Sequence, residues 1–192
     1  MAHLKFDLAK IHKLDDTGRF ETMRPEVMWR ALEDPSPEVI IEIGAGTGLF
    51  SAKFAEMAPG ATVYSADTEQ VMLDWMREHR PEVAAGRMVP VLSQETTVPL
   101  PDGTAQLVVM LNLHHELADP RAICTEAYRM LLPGGQLLIV DWAPGDTPKG
   151  PPQEVRVSAN DVVALLSSVG FASAQAHEDA LPWHWLVTAE RP

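Results

Sequence analysis

From residue 39 onward, apolar runs of strand length alternate with segments whose apolar positions recur at helical spacing. "VIIEIG" (39–44) is a continuous β-branched run, the pattern of a strand buried on both faces. "GLFSAKFAEMA" reads as helix, "ATVYSA" as strand, and "TEQVMLDWMREHR" as helix with Val71, Met72, Trp75 and Met76 on one face. "RMVPVLS" is a strand that Pro90 places near an edge. "AQLVVMLNL" is the most apolar strand. A helix in "DPRAICTEAYRMLL" is ended by "PGG", and the strand "QLLIVDW" follows. "SANDVVALLSSVG" is a helix with Ser158 as N-cap and Gly170 as its stop. The tail breaks the alternation: "ASAQAHEDA" and "WHWLVTAE" are two strand-like runs with "LPW" as a turn, which predicts a hairpin at one sheet edge. Strands alternating with helices predict an open parallel sheet covered on both faces, made mixed by the tail.

The first 35 residues stand apart. "KFDLAKIHKLDDTGRFETM" is polar and mixed in charge, and "RPEVMWRALEDP" predicts a short helix. This arm is either a packing strap or a lid over a site. The expected organisation is one domain over 1–192, with the arm at 1–35 and the α/β core at 36–192.

Composition narrows the partners. Net charge is −12, so nucleic-acid backbones and anionic membrane surfaces are not expected partners. No apolar run approaches the roughly 18 residues of a membrane span, and "MAHLKFDLAK" carries no signal pattern. One cysteine, Cys124, allows no internal disulfide, so a cytoplasmic setting is expected. A homodimer is left open.

In an open α/β sheet the ligand sits beyond the C-terminal ends of the strands, which here puts it at Gly44-Ala45-Gly46-Thr47-Gly48. A dinucleotide site uses G-x-G-x-x-G with an acid about 20 residues on. This loop is G-x-G-x-G, one residue tighter, and Asp67 supplies the ribose acid under either reading. Glu42, just before the loop, suits a cationic amino group, which nicotinamide dinucleotides lack and S-adenosylmethionine has.

These stretches resemble the class I S-adenosylmethionine-dependent methyltransferases, and within them the small-molecule group that includes the ubiquinone/menaquinone C-methyltransferases. "VIIEIGAGTGLFSAKFA", "VYSADTEQVML", "VPVLSQETTVPLPDGTAQLVVMLNLHHELADP" and "EAYRMLLPGGQLLIVDW" match the family's motifs in order. The resemblance implies a Rossmann-like, doubly wound, mixed seven-stranded sheet with the last strand antiparallel and helices on both faces. It implies S-adenosylmethionine as methyl donor, S-adenosylhomocysteine as product, and a small-molecule acceptor methylated by direct in-line displacement. Carried onto this sequence, Gly44, Ala45, Gly46 and Gly48 approach the methionine part, Glu42 orders its amino end and Asp67 takes the ribose hydroxyls. Thr68, Gln94 and Glu95 adjoin the adenine, and Asn112 faces the methionine portion. Gln94 departs from the family's usual acid, although its amide oxygen also accepts. Gln106 replaces a frequent aspartate far from the cofactor.

"NLHHELADP" rims the expected acceptor pocket. His115 is a candidate to orient the acceptor or take its proton, with a purely structural histidine as the alternative. Glu116 is expected to serve structure. Asp141 is a second candidate base. No metal site is expected, because Asp119 stands where H-E-x-x-H would need its second histidine. Trp183 and Trp185 are expected on one side of the last strand, and loop 143–155 and the arm are the closure candidates. The alternatives are a non-catalytic S-adenosylmethionine-binding domain and a nicotinamide-dependent oxidoreductase. The latter lacks a Tyr-x-x-x-Lys pair, and neither a G-x-S-x-G elbow nor a P-loop is present.

Overall fold

The computed structural model describes residues 11–33 and 35–192. The expectations for residues 1–10 and for Asp34 lie outside the described residues. The chain runs α1 (Ile11–Leu14), a 3₁₀ turn (Thr17–Glu21), α2 (Pro25–Arg30), β1 (Val39–Ile43), α3 (Leu49–Met57), β2 (Thr62–Asp67), α4 (Gln70–His79) and α5 (Pro81–Ala84). It continues with β3 (Met88–Leu92), β4 (Ala105–Leu111), a 3₁₀ turn (His114–Glu116), α6 (Pro120–Met130), β5 (Leu131–Trp142), a 3₁₀ turn (Gln153–Val155), α7 (Ala159–Val169), β6 (Ala172–Leu181) and β7 (His184–Glu190).

The seven strands form one sheet in the order β3-β2-β1-β4-β5-β7-β6. The pairs β1–β2, β1–β4, β2–β3 and β4–β5 are parallel; β7 is antiparallel to both β5 and β6. The mixed sheet with its last strand reversed is therefore as expected, and β3 with Pro90 is indeed an edge strand. Strand order reverses between β1 and β4, which opens the crevice where α/β folds bind ligands.

Alternation along the central strands builds two cores. Ile40, Val63, Leu107, Val109, Leu138 and Val140 pack with Phe50, Phe54 and the arm's Met23 and Met28. Ile41, Ile43, Val108, Met110, Leu137 and Ile139 pack with residues of α6 and α7. Side chains on successive strand residues point to opposite faces, so an unbroken apolar run is what a sheet covered twice requires.

Two local expectations are corrected. The helix before "PGG" stops at Met130. Leu131 turns to extended backbone and pairs with Ala105, so Pro133–Gly135 form an irregularity inside β5 rather than the helix terminator. Trp183 and Trp185 do not share a side. Trp183 occupies the hairpin turn at φ 62°, partly exposed, where a left-handed backbone redirects its side chain. Trp185 is core, and its indole N–H donates to the Val157 carbonyl at 2.8 Å. Ser158 does cap α7, accepting from the Asp161 N–H, and Gly170 stops it at φ 118°.

Among the described residues no helix is long and apolar enough to cross a membrane.

Candidate active site

Parallel strands bring their C-terminal ends to one side, so Gly44, Asp67, Gln94, Asn112 and Asp141 converge although they are spread widely along the chain. The start of the antiparallel β7 arrives at the same edge, where His184 pairs with Trp142.

The glycine loop is tightly constrained. Gly44, Gly46 and Gly48 all have positive φ. At Gly48, with φ 71°, a Cβ would also overlap the Met88 Cε and press on Met76, so the turn into α3 calls for glycine. At Gly46 a Cβ would meet only the Leu14 Cδ1 at 3.7 Å, which leaves its outward face shallow and covered by the arm. The backbone donors are largely committed. The Gly44 and Ala45 N–H groups donate to the Ala66 carbonyl, each at 2.9 Å, and the Gly48 N–H donates to the Ala45 carbonyl. The Gly46 N–H donates to Asp67 Oδ2 at 2.7 Å.

Asp67 also accepts from the Glu69 N–H at 3.0 Å. Burial raises its pKa, and the two backbone donors oppose the rise. A carboxylate has about four lone-pair sites, so further donors remain acceptable.

Glu42 is almost fully buried and accepts from both the backbone N–H and the hydroxyl of Ser51, whose hydroxyl in turn accepts from Ser65 at 2.7 Å. It thus lies against the first turn of α3, a place that favours negative charge. Burial nevertheless dominates and pushes its pKa up to about 7, against the hydrogen bond from Ser51 and the charge of Arg19.

Asn112 follows β4 at φ 53°, a backbone state that asparagine tolerates. Its Nδ2 donates to Met23 Sδ at 3.0 Å, while its Oδ1 is buried with no partner among the described residues. Thr68, Gln94 and Glu95 are exposed at the ends of β2 and β3, and Gln94 and Thr97 close a turn. Leu92, register partner of Asp67, is 49% exposed beside them. Sequence reasoning passed over Leu92, although an apolar last residue on a strand aimed at the site is a usable signal.

At the far side, His115 Nδ1 lies 2.7 Å from Asp141 Oδ1, and the His115 N–H donates to Oδ2 at 3.0 Å. Asp141 is buried. Burial works against the charged ring, but bonds to Asp141 and Glu116 outweigh it and raise the His115 pKa to about 9. Near neutral pH this ring is an imidazolium, a donor more than a base. The charge on His115 favours folding below its ordinary 6.5, and that contribution is lost as pH rises through about 9. Asp141→Asn is expected to drop the His115 pKa well below its wild-type value, since burial then acts without the buried carboxylate to oppose it; a histidine NMR titration would show it, and an unmoved midpoint would contradict the pairing. His114 points elsewhere, packing edge-on to Trp185, and burial lowers its pKa. Among the described residues no group of three or more metal-ligating side chains assembles.

The arm lies on the glycine loop. Ile11 and Leu14 join Ala45, Met72, Leu73, Met76 and Met88 in one apolar cluster. Arg80 donates to the Thr47 carbonyl at 2.9 Å and pairs with the arm's Asp15. Loop 143–155 is braced by Arg156, whose guanidinium donates to Ala143, Gly145 and Pro151 carbonyls and stands over Trp142.

Residues 41–139, just over half of the chain, match the family described as "Methyltransferase domain". The chain belongs to the methyltransferase domain family. Its sheet and motifs place it among the class I, S-adenosylmethionine-dependent members of that family. A demethylmenaquinone methyltransferase of Thermus thermophilus is 32% identical over 72% of this chain and 64% of its own length. A malonyl-[acyl-carrier protein] O-methyltransferase of Methylococcus capsulatus is 34% identical over 54% of this chain and 37% of its own. The matched stretches thus span less than two thirds of these relatives. A crystal structure of a SAM-dependent methyltransferase from Aquifex aeolicus superposes with a TM-score of 0.89 at 28% identity, covering 98% of this chain and all of that one.

Proposed function

We propose that this chain transfers a methyl group from S-adenosylmethionine to a small-molecule acceptor, with S-adenosylhomocysteine as product. The observation that carries the reading is the state of the glycine loop: its donors at Gly44, Ala45, Gly46 and Gly48 are already used, and two buried carboxylates flank it. A pyrophosphate needs free backbone N–H groups at the loop. A cofactor with an ammonium, a sulfonium and ribose hydroxyls needs acceptors. Glu42, Asp67 and the Asn112 Oδ1, which has no partner among the described residues, are acceptors. The same loop counts against the nicotinamide reading.

Bound there, the cofactor supplies an electrophilic sulfonium methyl open to in-line displacement. The chain's own contribution is placement and dryness. Asp67 holds the ribose, Leu92 offers an apolar face to the adenine beside Thr68, Gln94 and Glu95, and Asn112 and Glu42 take the ammonium. Residues 1–192 act as one domain in which the described part of the arm, 11–33, covers the glycine loop and excludes water. The braced loop 143–155 serves as a wall. His115, kept charged by Asp141, donates to an oxygen of the acceptor rather than taking its proton at neutral pH. This suits an acceptor carrying an anionic oxygen, as an acyl carboxylate does; a quinol of the demethylmenaquinone kind fits once its hydroxyl proton has been released to solvent.

The test pairs binding with turnover. The purified chain is expected to bind S-adenosylhomocysteine and not NADH in calorimetry. It is further expected to move an isotope-labelled methyl group from S-adenosylmethionine to a demethylated naphthoquinol or an acyl carboxylate. Binding of NADH alone would overturn the donor assignment. Cofactor binding without transfer to either acceptor class would favour the non-catalytic alternative.

A further inference from the structure

The acceptors above account for the cofactor's ammonium and ribose but leave its α-carboxylate without a counter-charge. We infer that Arg19, on the arm, is the residue that binds this carboxylate, so that the methionine end of the site is completed by the arm and not by the sheet alone. The inference rests on the donor assignment of the preceding subsection.

Arg19 is held in place from two sides. Its Nη1 donates to the Leu14 carbonyl at 2.9 Å, and its guanidinium stands 5.0 Å from the ring centroid of Phe50, the second residue of α3. Burial lowers its pKa, while the charges of Glu42 and then Asp16 oppose that. Arg19 is therefore a half-buried cation fixed between the arm's own backbone and the start of α3, directly after the glycine loop. A half-buried guanidinium favours a partner anion with matching geometry, and among the described residues its side chain makes one hydrogen bond, to Leu14. Glu42, the neighbouring carboxylate, already accepts from Ser51.

The chemistry of the ligand supplies what is missing. An α-amino acid end carries its ammonium and carboxylate on one carbon, so a site that takes the first at Glu42 and Asn112 must meet the second within a few ångströms. The loop donors that could otherwise serve are committed, and other nearby cations are engaged elsewhere: Arg80 at Thr47 and Asp15, Lys149 over Trp183. A planar guanidinium fork matches a carboxylate bidentately.

The experiment titrates three probes into the wild-type chain, Arg19→Met and Arg19→Lys: S-adenosylhomocysteine, its α-carboxamide, and 5′-methylthioadenosine, which lacks the amino-acid tail. Arg19→Met is expected to weaken S-adenosylhomocysteine roughly 10- to 100-fold, the worth of a charge-assisted pair. Methylthioadenosine should be unchanged, and the carboxamide should bind the wild type as weakly as the variant binds the acid. Arg19→Lys, which keeps the charge and the packing stem, should fall between. Equal weakening of all three probes in Arg19→Met would mean that Arg19 only closes the arm, and unchanged S-adenosylhomocysteine binding would mean it does neither; both overturn the inference while leaving the donor assignment intact. A wild-type chain that binds none of the probes would overturn both.

Discussion

Asp67→Ala is expected to weaken S-adenosylhomocysteine binding about 1,000-fold, the value of two hydrogen bonds to a charged group at roughly 1.5–3 kcal/mol each, less some compensation. The carboxylate lies at the end of β2, fixed by the Gly46 and Glu69 N–H groups, so it is oriented before any ligand arrives. Its removal also leaves the Gly46 N–H without its acceptor, which loosens the loop itself. A modest loss of thermal stability should accompany the loss of binding. Asp67→Asn separates the two effects. Its single carbonyl oxygen keeps one backbone donor satisfied, while its NH₂ group turns a ribose acceptor into a donor. The asparagine variant should therefore restore most of the melting temperature and little of the affinity. Affinity within about threefold of wild type in the alanine variant, measured calorimetrically, would remove Asp67 from the cofactor site.

Glu42→Gln is expected to change both stability and binding, and its two consequences run in opposite directions. Burial raises the Glu42 pKa from its ordinary 4.5 to about 7, so the folded state resists its ionisation. The folded chain then holds a proton that the unfolded chain releases between those values, and stability falls as pH rises through that window. A rise of this size corresponds to roughly 3 kcal/mol by the pH-unit conversion, an upper figure for a site that can relax. Glutamine keeps an acceptor for the Ser51 hydroxyl and never ionises. In urea unfolding, the ligand-free variant should be more stable than wild type at about pH 8 by about 1–3 kcal/mol and similar to it near about pH 4.5. Cofactor binding at the higher pH should nonetheless weaken by roughly 10-fold or more, because the ammonium loses an ionised partner. Parallel pH–stability curves for the two proteins would show that Glu42 carries no such strain.

The alternation of strands and helices, the edge position of β3, the capped α7 and the reversed tail hairpin were all legible in the sequence. Each depends on short-range pattern: periodicity of apolar residues, a proline in a strand, a serine ahead of a helix and a glycine after it. The glycine loop with Glu42 and Asp67 was legible too, since loop, strand end and spacing are local features. The departures at "PGG" and at Trp183 have separate causes. At Leu131 the pairing with Ala105, remote in sequence, took residues that local rules gave to a helix, and at Trp183 a positive φ broke the alternation that a straight strand would have kept.

What the tertiary structure alone decided is charge state and partnership. His115 and Asp141 are 26 positions apart, and only the adjacency of β4 and β5 makes them a pair and turns a candidate base into an imidazolium donor. Glu42 became a buried, hydrogen-bonded acid because α3 brings Ser51 to it and β2 brings Ser65 to Ser51. Arg19 carried no motif at all; it gained its place when the arm folded over Phe50 and the glycine loop. Sequence pattern determined which backbone forms and where the crevice opens, because those follow from local sterics and the burial of apolar faces. The ionisation of a side chain depends on what long-range packing removes from water and sets beside it, and no local pattern encodes that.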